Sequence, residues 1–248
     1  MTTQANALAI LSAAEGSFYT YNGRVTDTRY VPCFARNLKV SETRNSSLSF
    51  GATQLDTGNS SYARSALDEM LAQLVGAQTI TAQKRDSLAK FCRKKGLMRT
   101  SFSDADFKII STMIGSLEGR SIIDKYDRAN LGPLWTQADD MIATAAKVWE
   151  TKKLSGACFT DGTPEQLRLF AYIIATQNRN PTANTQTIAN WLAGKDATAG
   201  GVVHKLKAPP GIADMDAFFG VFGIWKGNPF KNLNDRLHDT LAACLPAK

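Results

Sequence analysis

Histidine and cysteine are scarce in this chain of 248 residues, and that scarcity is the first constraint on its chemistry. His204 and His238 are the only histidines, which excludes a His-rich metal centre. No G-x-S-x-G run accompanies either, so a Ser-His-Asp triad is unsupported. Cys33, Cys92, Cys158 and Cys244 stand singly, without the C-x-x-C spacing of a zinc site or redox dithiol. They read as buried thiols, with one or two disulfides left open by their even number. No run reaches the roughly 20 apolar residues needed to cross a bilayer, so no membrane insertion is expected. Neither a metal nor an organic cofactor is implied.

What is present suits an ordinary globular protein: 44% of residues are hydrophobic, enough for a proper core. Lys and Arg number 29 against 22 Asp and Glu, a net charge of +7 that favours polyanions such as nucleic acid, anionic membrane or bacterial envelope polymers. From residue 61 onward apolar residues recur at helical spacing. Leu67, Met70, Leu71 and Leu74 mark one helix; Leu134, Ala138, Met141, Ile142, Ala145 and Trp149 mark a longer one. Ser103 with Asp106, and Thr163-Pro164 with Gln166, are helix starts with capping residues in register. Further helices are expected at Thr185–Ala193, stopped by Gly194, at Asp214–Phe222 and at Pro229–Cys244.

Residues 17–60 differ, being rich in Tyr, Thr, Asn, Gly and Ser, with Asn22-Gly23 as a turn signal. The expected fold is therefore mainly α: a single domain over 1–248, with a small β-hairpin region at 17–60 and a helical lobe at 61–248. Gly194 to Gly211 reads as a surface loop, not a domain boundary.

Cleaving a glycosidic bond requires an acid, and a carboxyl serves at neutral pH when partial burial favours its neutral form. Among six glutamates, Glu69 and Glu150 lie in strongly patterned helices, and Glu165 complements a helix N-terminus. Glu15 follows Ala7-Leu8-Ala9-Ile10-Leu11-Ser12-Ala13-Ala14 and precedes Gly16. Small apolar residues should press against it where glycine ends the helix. The plainer alternative is a helix-end carboxylate with no chemical role.

The second feature is Ser49-Phe50-Gly51-Ala52-Thr53-Gln54-Leu55-Asp56. This run resembles the F-G-x-x-Q-[VL]-D motif of goose-type lysozymes and, more loosely, the S-x-G-x-x-Q motif of lytic transglycosylases. The resemblance covers about the first quarter of the chain. It implies a lysozyme-like α+β fold with Glu15 as catalytic acid and Asp56 positioning or activating water. It also implies that Ser49, Gly51 and Gln54 line a sugar-binding cleft. Glu15 and Asp56 are 41 residues apart, longer than goose-type enzymes use, so Asp27 and Glu42 stand as alternative second carboxylates. Tyr172 and Gln177, in the helix ending at Pro181, are further candidates for touching the sugar, with core packing the alternative for Tyr172.

The expected partner is peptidoglycan, cleaved at the β-1,4 bond between N-acetylmuramic acid and N-acetylglucosamine; chitin or chitosan is the alternative substrate. The N-terminus has no basic segment ahead of its apolar run, which argues against a signal peptide. A periplasmic substrate would then require delivery, as for a phage lysin or an injected antibacterial toxin, the latter with a cognate immunity protein. The run Lys84, Arg85, Lys90, Arg93, Lys94, Lys95 and Arg99 would suit a nucleic-acid-binding module, but a solvated helix face is the better expectation. Trp135, Trp149 and Trp191 fit core patterns, leaving Trp225 as the freest to stack on a sugar.

Overall fold

In the computed structural model of the chain, residues 3–21, 23–34, 46–179, 185–222, 239–240 and 243–244 are described. They are mainly helical, with eight named helices and three small two-stranded sheets, the class that the apolar periodicity predicts. Among the described residues no helix is long and apolar enough to cross a membrane. The chain divides into two compact units, one formed by Met1–Thr26 with Leu131–Lys248, the other by Asp27–Asn130.

The first unit begins with α1, Gln4–Glu15. Thr3 caps it by accepting the Asn6 N–H, and Gly16, at φ +72°, ends it by donating to Ala13. The left-handed turn at Gly16 suits a residue without a Cβ. Strands β1, Phe18–Tyr21, and β2, Arg24–Asp27, follow as a hairpin. Helix α5, Leu117–Thr151, carries the chain from the second unit back into the first and runs through Pro133 without a break. Helix α6, Pro164–Arg179, starts as its sequence predicts: Thr163 Oγ accepts the Gln166 N–H at 3.2 Å, and Gln166 Oε1 accepts from the Gly162 N–H at 2.8 Å. From Leu169 to Gln177 every residue of α6 is buried, so this helix is wrapped on all faces. Helix α7, Thr185–Leu192, stops at Gly194, whose φ is +70°. The hairpin β5, Ala197–Ala199, with β6, Val202–His204, and helix α8, Ile212–Gly220, complete the described part. Of the helix expected at Pro229–Cys244, only residues 239–240 and 243–244 are among those described; Trp225 and Glu42 also lie outside them.

The core of this unit gathers Ile10, Leu11, Trp149, Phe170, Tyr172, Phe218 and Phe219. Trp149 donates its indole N–H to the Leu192 carbonyl at 2.7 Å, while Trp191 stacks on Phe218 with centroids 4.1 Å apart. The tryptophans at these two positions are therefore structural.

The second unit has its own core, built on Leu48, Phe50, Leu55, Leu67, Met70, Ile110 and Ile123. It holds the hairpin β3, Ser49–Phe50, with β4, Leu55–Asp56, paired antiparallel as Ser49 with Asp56 and Phe50 with Leu55. Helices α2, Ser61–Gly76, α3, Ala82–Cys92, and α4, Asp104–Gly115, surround it. Ser60, Thr81 and Ser103 cap the three by accepting N–H groups three residues on. The lobe boundary expected at residue 60 falls inside this unit, because Phe50 and Leu55 bury against Leu67 and Met70 of α2 instead of forming a separate sheet layer.

Candidate functional site

Glu15 is the last residue of α1. Ala13 and Ala14 before it are fully buried, while Glu15 itself is half-buried. Helices α1 and α6 pack together, and near the end of α6 Asn178 donates its amide N–H to Glu15 Oε1 at 3.2 Å. The glutamate therefore stands at a helix end, backed by small apolar side chains and oriented by a neutral amide. Sequence reasoning missed Asn178: it lies 163 residues away, and local patterning carries no signal for such a contact.

Two residues expected to touch sugar from the same helix are buried. Tyr172 is fully enclosed, stacks on Phe219 at 5.1 Å and donates its hydroxyl to Asp216 at 2.5 Å. Burial and the Asp216 carboxylate both push its phenol well above the usual range. It follows the core alternative. Gln177 is also fully buried, and neither its amide oxygen nor its nitrogen has a hydrogen-bond partner among the described residues. An unpaired buried amide costs about 1–3 kcal/mol, so Gln177→Met, which keeps shape and removes both polar atoms, should stabilise the chain by up to that amount in equilibrium denaturation. A net destabilisation would show that the amide has work to do.

The remaining predicted residues belong to the second unit. Phe50 and Leu55 anchor the hairpin in the core, and Gly51 to Gln54 form the turn joining its strands. Ser49 is buried and exchanges backbone hydrogen bonds with Cys33 at 2.8 and 2.9 Å. Gly51 has φ +83°, and a Cβ added there would lie 2.7 Å from Asp127 Oδ2. Its missing side chain makes room for this carboxylate, a different close approach from the sugar contact that the motif implies. Gln54 takes φ +54°, a left-handed conformation that costs a non-glycine residue about 1–2 kcal/mol.

Asp127, on α5, clasps the turn. Its Oδ2 accepts the Ala52 N–H at 2.6 Å, and its Oδ1 accepts the Thr53 N–H at 2.9 Å and the Thr53 hydroxyl at 2.7 Å. Asn130 donates to Thr53 Oγ1 at 3.1 Å. Burial raises the Asp127 carboxyl above the ordinary carboxylate range despite these hydrogen bonds, which pull it down. The sequence offers no hint of this residue, which follows the turn by more than 70 positions inside an ordinary helix.

Asp56 accepts four hydrogen bonds: from Ser46 Oγ at 3.0 Å, the Ser47 N–H at 3.1 Å, the Gly58 N–H at 2.8 Å and Asn59 Nδ2 at 3.0 Å. These bind the chain on both sides of the hairpin, so the carboxylate organises a loop. Asp27 meets Arg29 through two side-chain bonds, of 3.0 and 2.9 Å. The Arg29 hydrogen bond holds the Asp27 carboxyl below its usual pKa. A lowered folded-state pKa adds stability above the ordinary carboxylate pKa, and that stability disappears as pH falls through the folded value. The pair is partly solvated, so Asp27→Asn should cost under about 1 kcal/mol at pH 7 and nothing once both states are protonated, as acid and neutral denaturation curves would reveal.

Near the same turn, Tyr30 donates its hydroxyl to Asp124 at 2.6 Å, and burial with this carboxylate pushes its phenol up to about 12. The basic run is largely neutralised: Lys84 pairs with Asp106, Arg85 with Asp86, Arg93 with Asp68 and Arg99 with Asp104. The four cysteines are free thiols, and burial pushes Cys92 and Cys158 up to about 12, where thiolate chemistry is suppressed. Among the described residues no three His, Cys, Asp or Glu side chains group to hold a metal. A groove of about 810 Å³ in the first unit is lined by Gln137, Asp140, Met141 and Ala189, none of them a predicted site residue.

No protein-family model, curated protein or solved structure matches the chain.

Proposed function

We propose that the protein is a glycoside hydrolase that cleaves the β-1,4 bond between N-acetylmuramic acid and N-acetylglucosamine in peptidoglycan, with Glu15 as its general acid. The observation that carries this reading is the setting of Glu15: a half-buried carboxyl at a glycine-terminated helix end, backed by buried alanines and oriented by the Asn178 amide. Of the three predicted catalytic carboxyls, Asp27 is engaged by a cation and Asp56 by four donors, which suits them to structure. Glu15 protonates the glycosidic oxygen as the C1–O bond breaks, and its carboxylate then takes the proton of the attacking nucleophile. A basic surface of net charge +7 attracts the protein to an anionic wall, and neither metal nor cofactor enters the scheme.

The engagement of Asp56 also favours a second outcome at the same site. Without a second carboxylate to activate water, the sugar's 6-hydroxyl attacks C1 as the Glu15 carboxylate takes its proton, and yields a 1,6-anhydro product, the lytic transglycosylase reaction. Digestion of purified peptidoglycan followed by mass spectrometry distinguishes the two, since the anhydro product is lighter by one water. Faster turnover of chitin or chitosan would move the substrate while keeping the chemistry. Tight, salt-dependent binding of DNA with no glycan cleavage would favour the nucleic-acid module instead. Delivery by a secretion machine as an antibacterial toxin, opposed by an immunity protein, or release as a phage lysin, are the biological settings that suit this activity.

A further inference from the structure

We propose that the cleft between α2 and α3 in the second unit binds a phosphate monoester of a sugar or polyol, with Arg93 and Lys90 holding the phosphate. This site is independent of the peptidoglycan reading. The two helices pack together and leave a cleft of about 660 Å³, a volume in the range of small-molecule sites. Ala72 and Ala89 present only methyl groups to it, which leaves the space open. Three cations, Arg85, Lys90 and Arg93, line the cleft against two carboxylates, Asp68 and Asp86. Arg85, Ala89 and Arg93 recur every four residues, and Lys90 precedes Arg93 by three, so α3 and its cap turn these side chains to one face.

The three cations are engaged unequally. Arg85 donates to Asp86, its neighbour in sequence, at 2.8 Å. Arg93 uses only Nη2, on Asp68, and its Nε is buried with no hydrogen-bond partner among the described residues. Lys90 has no ion pair among the described residues. The Nε and Nη2 donors of a guanidinium form a fork that matches two oxygens of a carboxylate or phosphate. One prong of the Arg93 fork is taken and the other is idle, and an idle buried donor is costly. Asp68 is exposed, and exposed ion pairs are weak in water, so a doubly charged phosphate displaces its carboxylate and takes both prongs. Lys90 adds the second cation. The exposed Asp86 carboxylate and the released Asp68 are then acceptors for hydroxyls on the body of the ligand. None of the lining residues is aromatic, so the cleft offers no platform for stacked bases and a nucleic-acid strand is disfavoured.

The test titrates the full chain with inorganic phosphate, with glucose 6-phosphate and with sodium chloride at matched ionic strength. The backbone amides of Ala72, Ala89, Lys90 and Arg93 are followed by NMR. Saturable shifts confined to α2 and α3 are expected, with a Kd on the order of 1 mM for phosphate and about threefold tighter for the sugar phosphate. Lys90→Gln, which breaks no ion pair, should weaken both by about fivefold or more, as for loss of a charge-assisted bond. Asp68→Asn removes the competing carboxylate and should tighten inorganic phosphate by about threefold, an effect that a merely structural ion pair would not produce. Shifts that sodium chloride reproduces, or unchanged affinity in both variants, would overturn the site. A sugar phosphate that binds no more tightly than inorganic phosphate would overturn its assignment to a monoester. Single-stranded DNA binding more tightly than the sugar phosphate would overturn it in favour of a strand-binding surface.

Discussion

Replacing Glu15 with glutamine should slow peptidoglycan cleavage by about 10²–10⁴-fold, the range that a positioned general acid contributes. The substitution is nearly isosteric, and the glutamine carbonyl still accepts the Asn178 N–H, so α1, its Gly16 cap and the buried alanines before it are undisturbed. Stability should change by no more than about 0.5 kcal/mol, as for a partly exposed helix-end residue with no new strain. The loss thus appears in kcat with the melting temperature held, a combination that global damage would not produce. Parallel calorimetry and single-turnover assays would separate the two effects.

The second large effect is on stability. Gly51→Ala should destabilise the second unit by about 2–5 kcal/mol, the sum of two costs. A left-handed backbone at φ +83° costs an alanine about 1–2 kcal/mol. The added Cβ would also come within 2.7 to 3.0 Å of three Asp127 carboxyl atoms. Asp127 is buried and tied by three hydrogen bonds, so it can retreat only by giving some of them up, at about 1.5–3 kcal/mol for a bond to a charged group. Asp127→Ser removes the clash together with the bonds to Ala52 and Thr53, so the double variant should be destabilised by less than the sum of the two single variants, with a coupling of at least about 1 kcal/mol as expected from neighbours in contact. Denaturation of the four proteins in this cycle checks it. A Gly51→Ala protein within 0.5 kcal/mol of wild type would mean that the turn is looser than its hydrogen bonds imply.

Local signals in the sequence were sufficient for much of the architecture. Ser103 and Thr163 cap the helices they were expected to start, Gly16 and Gly194 end theirs, and the apolar spacing of residues 61 onward does mark helices. These features are legible because each depends on residues within one turn of one another. The apolar residues from Leu134 to Trp149 mark the second half of a helix that begins at Leu117 and runs through Pro133. The division into two units was hidden for a related reason: Gly132-Pro133 follows the boundary at residue 130, but the helix runs through both, so no loop marks it.

The site was legible only in outline. Glu15 stands at a helix end as its sequence context suggests, and the Phe50–Asp56 run does form a tight hairpin. The roles within that run depend on partners far along the chain. Gly51 and Thr53 answer to Asp127 and Asn130, while Asp56 answers to Ser46, Ser47, Gly58 and Asn59. Periodicity cannot reveal which carboxylate saturates its hydrogen bonds. The basic run from Lys84 to Arg99 is a similar case, because Asp68, Asp104 and Asp106, which pair with it, come from other turns and helices.

Clearing of purified peptidoglycan by wild type beside Glu15→Gln is the most direct test of Glu15 as the acid of a peptidoglycan-cleaving enzyme. Turbidity should fall with wild type and stay unchanged on the same timescale with the variant, at equal protein concentration and equal melting temperature. Equal clearing by both would keep the enzyme class and remove Glu15 from its chemistry, and clearing by neither would show that the protein is not a peptidoglycan-cleaving enzyme.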